Sequence, residues 1–110
     1  MVLAIIDDLI FAEKLEASAR QMGAALTVAR NAEGIVNSNP QYSRILIDLN
    51  LSSGDPLALI RNLHKSYPQT PLIGYCSHVQ KDLQQQALEA GCASVMPRSA
   101  FVQLLPELLK

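Results

Sequence analysis

The stretch RILID, residues 44–48, decides the fold, because its three consecutive aliphatic residues run directly into a carboxylate, Asp48. Such a short and strongly apolar run predicts a β-strand that is buried on both faces, as the strands of a parallel sheet are. The run at residues 2–6 has the same form, and it ends at Asp7 and Asp8. The sequence therefore predicts two buried strands, each of which ends in acidic residues.

Helix signals lie between the strand-like runs. Gly23 follows a segment with helical spacing and is a typical C-terminal stop, because a residue without Cβ adopts the left-handed conformation at low cost. Asp55 and Pro56 form a typical helix opening, since the Asp oxygen accepts hydrogen bonds from free amides and Pro loses no needed hydrogen bond there. Pro106 is expected to shorten or kink the last helix. The predicted strands are 2–6, 26–29, 44–48, 72–76 and 92–96. Five helices are predicted. The first covers 10–22, the second is a short helix that is capped by Asn31 and carries Ile35 and Val36, the third begins at Asp55, and the last two cover 81–90 and 101–109.

The order of these segments predicts the architecture. Strands that alternate with helices at short intervals indicate βαβ crossovers, and hence a parallel sheet that is covered by helices on both faces. A chain of 110 residues has room for one domain of ordinary size and not for two. We therefore expect a single α/β domain over residues 1–110 with five strands in a (βα)5 arrangement.

Composition narrows the possible functions. Hydrophobic residues make up 49% of the chain and charged residues 17%, which favours a folded core over disorder. The formal net charge is −1 and the basic residues are spread along the chain, so we expect no direct binding of nucleic acid. The first apolar run is too short for a membrane span or a signal peptide, which favours a cytoplasmic location. Cys76 and Cys92 lack metal-ligand spacing and are expected to be reduced thiols of the core.

Polar residues follow four of the predicted strands. In open parallel sheets, ligands bind outside the carboxyl ends of the strands, so we expect these residues to share one rim. Clustered carboxylates bind a hard cation such as Mg²⁺, and one carboxylate can also attack phosphorus. A hydroxyl and a cation can then stabilise the phosphoryl oxygens. The residues are Asp7 and Asp8 after the first strand, Asp48 after the third, Ser77 after the fourth and Arg98 after the fifth.

Four short motifs carry a resemblance to a known family. The runs IIDD (5–8), ILIDLNL (45–51), IGYCS (73–77) and MPRS (96–99) are similar in order and spacing to the receiver domains of bacterial response regulators. The resemblance covers essentially the whole chain. It implies a doubly wound, flavodoxin-like or CheY-like fold with strand order 2-1-3-4-5. It also implies a phosphoacceptor switch of two-component signalling, a role in a phosphorelay that is not that of an enzyme.

The same resemblance assigns roles to the residues at the strand ends. It implies that Asp48 is the phosphoacceptor and that Ser77 is the switch hydroxyl, with Arg98 at the position of the active-site cation. Mg²⁺ is then the expected cofactor. The ligands implied for it are Asp7, Asp8, Asp48 and the backbone carbonyl of Asn50.

Partners are implied in the same way. A histidine kinase or a phosphotransfer protein would supply the phosphoryl group, and a downstream protein would bind the switched surface. The sequence does not decide the oligomeric state, but the resemblance implies where a homodimer would pair: the surface of the fourth helix (81–90), the fifth strand (92–96) and the fifth helix (101–109). Neither a membrane nor a nucleic acid is among the expected partners.

Two residues depart from the pattern of the family. The position of Arg98 normally holds lysine, and the planar guanidinium does not reproduce a compact ammonium. Arg98 could pair with the unphosphorylated Asp48 instead. Val95 stands where many relatives carry Tyr or Phe, so the usual aromatic switch is expected to be missing.

Other interpretations of these residues stay open. Asp7 and Asp8 could serve only the N-terminus of the first helix through its dipole, and Ser77 could be a turn residue or a helix cap. The whole domain could be a pseudo-receiver, a protein-interaction module in which Arg98 holds the acids in a fixed network. Binding of a flavin or a nucleotide is disfavoured, because acids replace the glycine-rich phosphate loop after the first strand.

Overall fold

The structure is a computed structural model that describes residues 1–30, 42–51, 54–77 and 80–110. Its strands are β1 (Val2–Ile5), β2 (Leu26–Ala29), β3 (Arg44–Asp48), β4 (Leu72–Cys76) and β5 (Ser94–Pro97). Its helices are α1 (Leu9–Met22), α2 (Pro56–Ser66), α3 (Lys81–Ala90), α4 (Arg98–Gln103) and α5 (Leu105–Leu108).

The five strands form one parallel sheet in the order β2-β1-β3-β4-β5. This confirms the predicted fold class and strand order. The predicted strands differ from the observed ones by a residue or two at the ends of β1 and β5 only. The predicted short helix that begins at Asn31 lies outside the described residues.

Two apolar clusters cover the two faces of the sheet. Alternate strand residues enter opposite clusters, for example Leu46 on one face and Ile47 on the other. Helices α1, α4 and α5 pack on the face of Leu46, and α2 and α3 pack on the face of Ile47. Because side chains alternate along a strand, Asp48 leaves β3 on the same face as Leu46.

The helix ends follow the predicted chemistry. Gly23 closes α1 in the left-handed region at φ 68°, and its amide donates to the carbonyls of the preceding turn. At the start of α2, Oδ1 of Asp55 accepts a hydrogen bond of 3.0 Å from the amide of Leu57, and Pro56 occupies the first helical position. Both sequence predictions are confirmed.

The prediction of one final helix over residues 101–109 was wrong. The chain enters α4 directly at Arg98, stops at Leu104, and begins α5 at Leu105 with Pro106 in its first turn. Pro106 has no amide to donate to the carbonyl of Val102, and its ring would collide with that carbonyl in a continuous helix. The break at Leu104 lies two residues before Pro106, the residue expected to shorten or kink this helix, and the first part of the helix follows β5 without a loop.

Both cysteines are free and buried, as expected from their spacing. Burial raises the pKa of Cys92 to about 11 and raises that of Cys76 as well, so both thiols stay protonated at neutral pH. Within the described parts of the chain, no helix has the length and apolar character needed to cross a membrane.

Candidate functional site

The carboxyl ends of β1, β3, β4 and β5 meet at one edge of the sheet. The chain passes from β1 outward to β2 and then returns to the other side of β1 with β3, so the strand order reverses between β1 and β3. Asp48 ends β3 at this point. This is the position at which open α/β sheets bind their ligands.

Asp48 is a buried carboxylate, with only 3% of its surface exposed. Its Oδ1 accepts a hydrogen bond of 2.8 Å from the backbone amide of Asn50. Burial raises the pKa of Asp48 above its ordinary value, the Asn50 hydrogen bond and the positive charge of Arg98 oppose that increase, and the negative charge of Asp7 adds to it. Asp7, Asp48 and Arg98 are therefore close enough for their charges to interact.

Asp8 uses both of its carboxylate oxygens in contacts of its own. Oδ1 caps α1 by accepting hydrogen bonds from the amides of Ile10 at 3.1 Å and Phe11 at 3.2 Å. Oδ2 lies 3.4 Å from Nη2 of Arg98. About a third of each of these two side chains is exposed, so the ion pair adds little stability and mainly orients the guanidinium. Asp8 therefore caps α1 and pairs with Arg98 at the same time, so it does more than serve the N-terminus of the helix.

Arg98 lies over two aromatic rings rather than over the phosphoacceptor candidate. Its guanidinium carbon is 4.4 Å from the ring centroid of Phe11 and 5.8 Å from that of Tyr75. The expectation that Arg98 pairs with Asp48 was wrong, because the ion pair it makes is to Asp8. The physical reason is local: Phe11 follows Asp8 by one helical turn, so a guanidinium stacked on that ring meets the Asp8 carboxylate first.

Asn50 connects the ends of β3 and β4. Its Oδ1 accepts hydrogen bonds from the backbone amide of Ser77 at 2.7 Å and from the Ser77 hydroxyl at 3.1 Å. Its Nδ2 donates to Oε1 of Gln80, the residue before α3, at 2.9 Å. The sequence analysis considered only the backbone carbonyl of Asn50. The sequence did contain a signal for this role of the side chain: Asn50 comes two residues after Asp48, and Asn side chains commonly form hydrogen bonds with nearby loop residues.

Tyr75 is a residue of this edge that the sequence analysis missed. It is fully buried and is the register partner of Asp48 across β3 and β4. Burial, together with the negative charge of Asp48, raises the pKa of Tyr75, so the phenol keeps its proton. From the sequence, Tyr75 is only an aromatic residue inside a predicted strand. That it lies next to Asp48 depends on the register between β3 and β4, which the sequence alone does not give.

Carboxylate oxygens such as those of Asp7, Asp8 and Asp48 are typical ligands of a hard divalent cation. The described residues do not, however, form a complete metal site. Among the residues that the structure describes, no group of three His, Cys, Asp or Glu side chains is arranged to hold a metal ion. Asp8 is engaged by the α1 amides and by Arg98. The mutual repulsion of Asp7 and Asp48 is the feature that a cation would relieve.

The fold of this chain is similar to that of the CheY-like receiver domains of response regulators, as solved structures show. A response regulator from Burkholderia pseudomallei, solved with a phosphorylated aspartic acid, a calcium ion and citrate, superposes with a TM-score of 0.85 and 22% identity over 99% of this chain and 65% of that chain. A beryllofluoride-activated NtrC4 receiver domain dimer superposes with a TM-score of 0.78 and 19% identity over 98% of this chain and 94% of that chain. The predicted resemblance is confirmed.

One sequence relative is a sensor protein. The sensor protein TorS of Escherichia coli is 30% identical to this chain over 97 residues, which are 88% of this chain and 10% of TorS. The chain therefore spans about a tenth of the length of that curated relative. No model of a known protein family matches the chain.

Proposed function

We propose that this chain is a two-component receiver in which Asp48 accepts a phosphoryl group and thereby changes a protein-interaction surface. The observation that carries the proposal is a buried carboxylate at the point where strand order reverses, next to the charges of Arg98 and Asp7. A buried carboxylate is unfavourable for folding, so its presence at such a point indicates a functional role.

The proposed reaction is a phosphoryl transfer from a phosphohistidine. An oxygen of the ionised Asp48 carboxylate attacks phosphorus and forms an O–P bond. The P–N bond breaks as the imidazole nitrogen leaves with its electron pair. A histidine kinase or a phosphotransfer protein would supply this donor, and the product is an acyl phosphate on Asp48.

Ser77 and Arg98 are the proposed partners of the phosphoryl oxygens. The Ser77 hydroxyl is exposed, and Asn50 holds both the amide and the hydroxyl of this residue at the end of β4. The charge of Arg98 already acts on Asp48. A hydroxyl donor and a fixed cation are the groups that stabilise negative charge on a transferred phosphoryl group.

Mg²⁺ is the proposed cofactor, held by oxygen atoms of the acids at this edge. When bound, it would neutralise charge on the carboxylates and on the phosphoryl oxygens. The repulsion between Asp7 and Asp48 supports a cation next to both. Asp8 would have to exchange Arg98 for the cation, because both of its oxygens are engaged. The backbone carbonyl of Asn50 remains the proposed further ligand.

The proposed output is a change in affinity for a downstream protein, and the protein would act as a switch rather than as an enzyme. A homodimer is proposed on the surface of α3, β5 and the helices that follow β5. We propose a cytoplasmic location, where the phosphodonor proteins of such systems act.

The proposal predicts that Mg²⁺ with phosphoramidate adds one phosphoryl group to the intact protein, as measured by mass spectrometry. Asp48→Asn should abolish the addition, because an amide oxygen is a poor nucleophile. Asp55→Asn is the matched control: it changes an acid that caps α2 and has no proposed role in the transfer, and it should leave the addition unchanged. An unmodified wild-type mass, or a phosphoryl group that survives Asp48→Asn, would refute the proposal.

A second candidate function is a pseudo-receiver that binds a protein without phosphorylation. The observation in its favour is the fixed position of Arg98, which is paired with Asp8 and stacked on Phe11. In this case Mg²⁺ and phosphoramidate would leave both the mass and the amide NMR spectrum of the protein unchanged.

A further inference from the structure

We propose that the hydroxyl of Tyr75 is a hydrogen-bond donor to the phosphoryl-bearing group on Asp48. This role rests on the proposed function and adds a residue of β4 to the set at the strand ends. Three features of Tyr75 support this role: its placement beside Asp48, a buried hydroxyl without a hydrogen bond of standard geometry, and the packing of its ring.

The placement of Tyr75 follows from the register of the sheet. Tyr75 and Asp48 are partners across the parallel pair β3 and β4, and the amide of Leu49 donates to the carbonyl of Tyr75 at 2.9 Å. Register partners in neighbouring strands direct their side chains to the same face. Tyr75 belongs to the same apolar cluster as Leu46, and Asp48 leaves β3 on that face.

The hydroxyl of Tyr75 makes no hydrogen bond of standard geometry, although it lies near enough to the Asp48 carboxylate to interact with it as a donor. Within the described residues, the buried side-chain atoms that lack such a bond are this hydroxyl and Nε of Arg98. The Tyr75 hydroxyl lowers the pKa of the Asp48 carboxyl as a hydrogen-bond donor, and the charge of Arg98 lowers it as well. The hydroxyl is thus directed toward Asp48 without reaching a hydrogen bond of standard geometry. A buried donor without an acceptor is costly, and such groups are rare in folded proteins.

The packing of the ring prevents the hydroxyl from turning to solvent. The ring centroid of Tyr75 lies 4.3 Å from that of Phe101 and 5.3 Å from that of Phe11, and Arg98 lies over the same cluster. A Phe would provide this packing without an unpaired polar atom, as Phe11 and Phe101 do. The hydroxyl therefore gains little from Asp48 in the unmodified protein, because the contact falls short of standard geometry, and a phosphoryl group on Asp48 would bring an acceptor oxygen within better reach.

The test uses beryllofluoride with Mg²⁺ as a stable probe of the modified state, on the whole chain. Tyr75→Phe should weaken beryllofluoride binding about tenfold, the effect expected for loss of a hydrogen bond to a charged group. The same variant should melt at the same temperature as the wild type or above it, because it removes a buried hydroxyl that makes no hydrogen bond of standard geometry. Tyr42→Phe is the matched control, since Tyr42 is a buried tyrosine of the other cluster.

A second measurement needs no variant. The protein has three tyrosines, so a sample labelled with ¹³C at the tyrosine ζ carbon gives resonances from Tyr42, Tyr67 and Tyr75. Beryllofluoride should shift the resonance of Tyr75, whose phenol gains an acceptor, far more than the other two.

Three results would overturn the inference. Equal affinity of Tyr75→Phe and wild type would do so, as would a variant that loses both affinity and thermal stability, which indicates a packing role only. In both cases phosphorylation of wild-type Asp48 would still support the proposed function. A wild-type protein that takes neither beryllofluoride nor a phosphoryl group would overturn the proposed function and this inference together.

Discussion

At the residue scale, Asp48 is a buried acidic residue at the end of an otherwise largely aliphatic strand. The residues before it in β3 are aliphatic and buried, and Asp48 itself is 3% exposed. The amide of Asn50 and the charge of Arg98 offset only part of the cost of burial, since the pKa of Asp48 stays above its ordinary value. A folded state that raises the pKa of an acid binds its proton more tightly than the unfolded state does.

The sign of the pH effect follows from this shift. Below the ordinary pKa of Asp, about 3.9, Asp48 is protonated in both the folded and the unfolded protein. The folded state then has the full stabilisation that comes from its tighter binding of the proton. As the pH rises through the folded-state pKa, this stabilisation is lost. Asp48→Asn, which keeps the oxygen that accepts from Asn50, should therefore be more stable than the wild type at about pH 7 and gain less at about pH 3.5.

Urea denaturation of both proteins across this pH range measures the difference in free energy of unfolding. Asp55→Asn serves again as the control, because Asn preserves the cap of α2. A destabilised Asp48→Asn at neutral pH would contradict the argument from burial.

At the element scale, the contact between α2 and α3 depends on a glycine. Gly91 ends α3 at φ 139°, and a Cβ at this position would lie 2.9 Å from Cβ and Cγ of His64 on α2. Gly23 ends α1 at φ 68°, but a Cβ there would meet no atom within 4 Å. A substitution at either position meets the backbone strain of a positive φ, and a Cβ at Gly91 also overlaps α2.

Gly91→Ala should destabilise the protein more than Gly23→Ala does. We expect a loss of about 1 kcal/mol for Gly23→Ala, the cost of a left-handed alanine, and about 3 kcal/mol for Gly91→Ala, where α2 must also move. Chemical denaturation measures both values. Equal losses would show that α2 and α3 can separate at no cost.

At the scale of the whole molecule, the sheet is buried on both faces. Leu46 and Ile47 are neighbours in β3, both are fully buried, and they belong to different clusters. The fold needs both clusters, because helices attached to one face only would leave the other face of the central strands in water.

Leu46→Ala and Ile47→Ala should therefore destabilise the protein by similar amounts, each by about 3 kcal/mol. The control is Leu104→Ala, because Leu104 is 43% exposed and its truncation leaves a smaller cavity. Urea denaturation measures all three variants. A nearly neutral effect of either β3 variant would mean that its cluster does not support the sheet.

Much of the fold could be predicted from the chain because its signals are local. Apolar runs of four or five residues, Asp55 before Pro56, and Gly23 after a helical segment each specify an element from neighbouring residues alone. The parallel arrangement followed from the alternation of these elements. The last helix could not be predicted correctly, because the position at which Pro106 interrupts it depends on where α4 begins against β5.

The sequence by itself determined the strands of the sheet, most of its helices and which polar residues follow the strands. The tertiary structure alone decided their partners: Arg98 meets Asp8, ninety positions earlier in the chain, Ser77 meets Asn50, and Tyr75 lies beside Asp48. The reason is physical. Hydrophobic periodicity reports which face of an element is buried, whereas the contact of two distant side chains depends on strand register and ring packing, which arise only when the whole sheet is assembled.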